Sequence, residues 1–101
     1  MFVITNRISV GPEGAQAFED HFAQSMRDTL KNVPGLRRAT LMRPEKDGLP
    51  FVSTMEFEEK QHFLDWLKSD SFKASHSDRS APGMDAQNSV EQHSMVVVIE
   101  D

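Results

Sequence analysis

The chain has 101 residues, a formal charge of −5 and no cysteine. That length holds one domain, spanning residues 1–101, and a core small enough that a second subunit would be a natural complement. The scattered Lys and Arg exclude the basic stripe of a nucleic-acid binder. The missing cysteines exclude disulfides, thiolate metal sites and thiol nucleophiles.

No apolar stretch approaches the length of a membrane span, and the N-terminus lacks the basic region and apolar run by which a signal peptide is seen. These features lead us to expect a cytoplasmic protein with neither a nucleic-acid nor a membrane partner. "FVITNRISV" (2–10) reads as the first strand, with Phe2, Ile4, Ile8 and Val10 on one side of the pleat. Asn6 shares that parity and places an amide in the middle of an apolar face. "GPEG" (11–14) then suits a helix start, and Ala15, Phe18, Phe22, Met26 and Leu30 form one amphipathic stripe. "NVPG" (32–35) ends that helix. "LRRATLMRP" (36–44), a turn at 45–50 and "FVSTMEF" (51–57) predict an antiparallel hairpin.

A second, short helix carries Phe63, Trp66 and Leu67, and "SDS" (69–71) interrupts it before "FKASH". Ser69 or Asp70 can cap the new helical piece. Residues 77–89 read as a loop, and the apolar run of "HSMVVVIED" (93–101) as a last strand buried on both faces. The order β-α-β-β-α-β is the ferredoxin-like, α+β arrangement, an antiparallel sheet with helices on one face. Two-sided apolarity in the last strand implies that the other face is covered too, most simply by a second copy of the chain.

Three side chains stand out as candidate site residues. Asn6 either bonds to backbone near a strand end or donates into a cavity between sheet and helices, its NH₂ being a donor at any pH. Trp66, the sole tryptophan, is either core or a stiff wall against a planar ligand. His76 is either a surface histidine at a helix end or a single axial ligand, since one histidine cannot build a zinc site. His21, His62 and His93 have no partners at metal-ligand spacing. "EFEEK" (56–60) reads as a solvated helix start.

"TNR" near the N-terminus, "FLDWLKSDSFKASH" (63–76) and the element order together resemble the IsdG-type haem-degrading monooxygenases. These lie within the wider antibiotic biosynthesis monooxygenase (ABM) group of dimeric α+β barrels. The resemblance runs from residue 2 to about residue 76 and is densest over 63–76. It implies a homodimer that binds haem as both cofactor and substrate and opens the porphyrin with O₂. Electrons would come from an external donor, an unidentified reductase, and iron would be released.

It further implies that His76 is the axial iron ligand and that Asn6 hydrogen-bonds on the distal side. Trp66 would press the macrocycle out of plane, and Phe22 would line the pocket. Arg7, Arg37, Arg38 and Arg79 are candidate partners for the propionates. Two other readings use the same frame. One is a cofactor-independent monooxygenase acting on polycyclic aromatic substrates, and the other is a non-catalytic haem-binding protein.

Overall fold

In a computed structural model of the chain, residues 1–75 and 87–101 are described. Four strands form one antiparallel sheet in the order β2-β3-β1-β4. They are β1 (Phe2–Ser9), β2 (Leu36–Met42), β3 (Phe51–Phe57) and β4 (Gln87–Ser94). A short 3-10 turn at Pro12–Gly14 leads into α1 (Ala15–Thr29), while α2 (Lys60–Trp66) and α3 (Asp70–Ser75) follow β3. This is the ferredoxin-like α+β fold expected from the element order.

The predicted periodicities hold where an apolar face meets an apolar face. Ile4 and Ile8 of β1 are buried together with Phe51, Met55 and Phe57 of β3, and Phe18 of α1 is the most enclosed residue of its stripe. Phe22, Met26 and Leu30 are half-buried. Beyond α1, Asn32 takes φ 58° and Gly35 φ 77°, left-handed positions that turn the chain into β2. Ser69 caps α3, its hydroxyl accepting from Phe72 N at 3.2 Å and donating to Trp66 O at 2.6 Å. On α2, Phe63 and Trp66 are buried, but Leu67 is 36 % exposed rather than sharing their face.

The last strand differs from expectation. β4 is the polar segment Gln87–Ser94, paired along its whole length with β1 from Phe2↔Ser94 to Ser9↔Gln87. Residues 87–89, expected in a loop, therefore belong to the sheet; the rest of that loop lies outside the described residues. The apolar run begins where β1 has already ended, after Met95 N donates to Met1 O at 2.9 Å. Val96, Val97, Val98 and Ile99 are 58–92 % exposed and form no strand. High β-propensity alone did not make them a sheet strand, because the pairing positions on β1 are taken by Gln87–Ser94. An edge strand solvated on one side tolerates the polar side chains of β4.

The core is divided. One cluster gathers Ile4, Val33, Met55, Phe57, Phe63 and Trp66, and a second gathers Ile8, Phe18 and Phe51 with Phe22 and Leu41 against it. Along β1 and β3, each cluster takes one end of the helix-facing surface.

Candidate functional site between two aromatic clusters

Asn6 lies at the seam between those clusters. On β1, Ile4 belongs to one cluster and Ile8 to the other, with Asn6 between them on the same face. Its cross-strand neighbours are Ser53 on β3 and Val90 on β4, and Ser53 in turn faces Leu41 on β2. This row, Leu41–Ser53–Asn6–Val90, interrupts the apolar packing with an amide and a hydroxyl. Burial falls along it, from Ser53 at 7 % exposed, through half-buried Asn6, to Val90 at 57 %. The row is sealed toward β3 and open toward β4.

Aromatic groups flank the row on either side. Phe22, from the middle of α1, packs 5.3 Å from Phe18 in the second cluster. Trp66, at the end of α2, stands in the first cluster. Its ring meets Phe72 edge-on at 5.0 Å and 83°, and lies 6.3 Å from both Phe57 and Phe63. Its indole N–H donates to Ser71 Oγ at 3.1 Å, and Ser71 donates to the carbonyl of Thr29 in the last turn of α1. Trp66 is only 7 % exposed, so its ring is chiefly packed and held, with a small margin left toward the surface. The core reading of this tryptophan is what its burial supports.

The helix-facing surface thus brings Asn6, Phe22 and Trp66 onto one side of the sheet, with Asn6 between the two apolar clusters. His76 lies outside the described residues, and so does Arg79. Of the other arginines considered, Arg7 and Arg38 are on the opposite face, where they pair with Glu91 at 3.3 Å and Glu56 at 2.7 Å. Alternation along the strands prevents both from sharing a surface with Asn6. Arg37 pairs with Glu58 at 2.8 Å in an exposed position. Within "EFEEK", Glu56 and Glu58 are thus ion-paired to β2, and Phe57 between them is core.

Two polar residues of this region were not singled out in the sequence. Ser53 was hidden inside an alternating strand, although its parity with Phe51, Met55 and Phe57 was readable. Ser71 sat in the "SDS" break, where a cap was the only role considered. His93 does not open the last strand; it lies near its end, on the face away from the helices, with Nδ1 3.5 Å from Thr5 Oγ1. His21 is half-buried. Among the described residues, no group of three or more His, Asp or Glu is placed to hold a metal ion.

Residues 1–78 match the family profile described as Antibiotic biosynthesis monooxygenase. The chain belongs to that family. Solved structures agree on the fold. A point variant of MhuD, with two manganese protoporphyrin IX molecules per active site, superposes with a TM-score of 0.84 at 22% identity, covering 100% of both chains. The heme-degrader MhuD from Mycobacterium tuberculosis, with two hemes in its active site, gives 0.81 at 23%, covering 99% of this chain and 100% of that one.

A variant of SnoaB, a cofactor-independent oxygenase from Streptomyces nogalater, gives 0.74 at 18%, covering 99% and 97%. A search among curated proteins returns no match. Membership makes this chain a monooxygenase-family domain, and the neighbours show that the same fold serves both haem-binding and cofactor-independent proteins. No helix among the described residues is long and apolar enough to cross a membrane.

Proposed function

We propose that this protein is a haem-degrading monooxygenase, which binds haem against the helix-facing side of the sheet and opens the porphyrin ring with O₂ and reductant, releasing iron. The observation that carries this reading is the placement of Asn6. A half-buried amide sits at the seam between two aromatic clusters, with Phe22 to one side and Trp66 to the other. Haem is a broad apolar disc with a polar centre, and such a seam offers apolar walls around a hydrogen-bond donor. The likeness to MhuD, whose structure holds hemes, supports the same assignment.

Each residue then has a stated task. The Asn6 NH₂ would donate a hydrogen bond to the bound group without needing to change protonation state. Trp66 presents the edge of a ring braced by Phe72, Phe63 and the Ser71 hydroxyl, a stiff contact for orienting and bending a planar ligand. Phe22 lines the other side. His76, outside the described residues, is the residue that would hold the haem iron. Bound haem would supply the redox chemistry and the ring to be oxidised; the protein's part is orientation and exclusion of water. Electrons come from an external reductase, and we place the reaction in the cytoplasm.

The working unit is a homodimer. Val96–Ile99 project from the fold as a run of exposed β-branched residues, a surface that a lone chain rarely leaves bare. A second copy is the partner that would cover it and the helix-free face of the sheet.

A second reading, a cofactor-independent monooxygenase on polycyclic aromatic substrates, draws support from the likeness to SnoaB and from a tryptophan largely occupied in packing. Titration with haemin separates the two. The haem reading expects a Soret band that is lost in His76→Ala, and that bleaches to an open-chain tetrapyrrole, identified by mass spectrometry, when ascorbate is added under air. An absent Soret band refutes the haem reading. A stable band that survives reductant under air leaves a haem-binding protein without the enzyme activity.

A further inference from the structure

The row that carries Asn6 has a second polar member with no task in the function proposed above. Ser53 is directly opposite Asn6 in the β1–β3 ladder and is 7 % exposed. Its neighbours on the same face of β3 belong one to each cluster, Phe51 to the second and Met55 to the first. A β-branched apolar residue would suit a buried strand position of this kind better. A hydroxyl without a protein partner there lowers stability. Among the described residues the Ser53 side chain makes no hydrogen bond, and its Oγ is not fully buried. The fold therefore gives no reason for serine at this position.

Geometry gives one. Side chains directly opposite each other in an antiparallel pair have Cβ atoms about 4.5–5.5 Å apart, so one small ligand atom can lie within reach of both. Burial rises from Val90 through Asn6 to Ser53, which is the most enclosed member of the row.

We propose that Ser53 is a second hydrogen-bonding residue of this site, acting beside Asn6 on the small oxygen substrate that shares the site with haem. This rests on the haem reading. Asn6 supplies an amide NH₂ that donates at any pH. Ser53 adds a hydroxyl that can turn to donate or accept, so the pair sets both the position and the orientation of a diatomic molecule.

The test uses haemin-loaded protein with cyanide, a diatomic that accepts hydrogen bonds, in parallel with turnover. Ser53→Val should bind haemin within about two-fold of the parent and melt no lower, because the side chain fits the strand. Its cyanide affinity should fall about three- to ten-fold, the size of one lost hydrogen bond. Ser53→Thr, which keeps the hydroxyl on a side chain of valine's shape, should restore it. Should Ser53→Val fold poorly, Ser53→Ala carries the same expectation.

Unchanged cyanide affinity in the Val and Ala variants, with haemin still bound, overturns the role given to Ser53 and leaves the haem reading intact. An equal loss in Val and Thr also overturns it, since that marks a steric effect. Failure of the parent to bind haemin removes the reading beneath.

Discussion

Gly35 is the position where a single methyl group should do the most damage for its size. It turns the chain from α1 into β2 at φ 77°, its carbonyl accepts from Glu58 N at 2.9 Å, and the ring of His62 lies against its Cα. A Cβ built there would stand 2.1 Å from His62 Cγ, well inside any real contact. Gly35→Ala carries two costs. Holding an L residue in the left-handed region costs about 1–2 kcal/mol. Displacing the imidazole from a packed position adds about 1–3 kcal/mol of overpacking.

The sum, roughly 2–5 kcal/mol, would lower the melting temperature by at least about 8 °C in a domain of this size. His62→Ala separates the two. The His62 Nδ1 is buried without a partner among the described residues, so its removal sacrifices packing but no hydrogen bond from that atom. In the double variant the clash is gone and only the backbone cost remains. Urea denaturation of all four proteins should therefore give a coupling of about 1–3 kcal/mol in the relieving direction. A coupling within about 0.5 kcal/mol of zero, or a Gly35→Ala protein as stable as the parent, would refute the packing described between this glycine and α2.

Asn6→Ala should keep haemin binding within about three-fold while ring opening falls below detection; turnover at the parent rate would remove the amide from the mechanism. Ser71→Ala breaks the link from the Trp66 indole to the end of α1 and should cost about 1 kcal/mol, with a shift in the emission of the sole tryptophan, whereas Ser71→Thr should retain both. Glu19 is held below its ordinary carboxylate value, chiefly by the hydrogen bond that Arg43 donates at 2.6 Å.

A depressed folded value means that this pair contributes above the unfolded value and that the contribution is lost as pH falls through the folded one. The parent should therefore lead Glu19→Gln near neutral pH in low salt. The gap should close in acid and in high salt, because the pair is at the surface. A gap that widens in acid would reverse the sign of the argument.

Most of the frame was readable because it depends on period alone. The stripe Phe18–Phe22–Met26–Leu30 and the alternation Phe51, Met55, Phe57 each describe a face, and faces of matching chemistry have one way to meet. Asn6 was conspicuous for the same reason, as a break in a period. What failed was the assignment of the last strand. "MVVVI" has the stronger propensity, but β1 has only eight residues to offer, and "QNSVEQHS" fills them in full register. A count of available ladder positions is not present in either segment's own sequence. Ser53 escaped notice because one small hydroxyl in a strand is common. It becomes unusual only when the register sets it beside Asn6 on a largely buried stretch of strand.

That juxtaposition bears on why so small a domain has two clusters instead of one core. Filling the seam with apolar side chains at positions 6 and 53 would join Ile4 and Met55 to Ile8 and Phe51 in a continuous layer. Burying two more aliphatic side chains would add roughly 1.5–3 kcal/mol each to a fold of modest size. The sequence keeps an amide and a hydroxyl there and surrounds them with Phe18, Phe22, Phe51, Phe57, Phe63 and Trp66. Sites that hold a ligand are where local stability is given up, and the neighbouring packing must offset the loss. An Asn6→Val, Ser53→Val double variant should on this account be more stable than the parent while losing the activity, whereas polar groups needed for the fold itself would make it less stable.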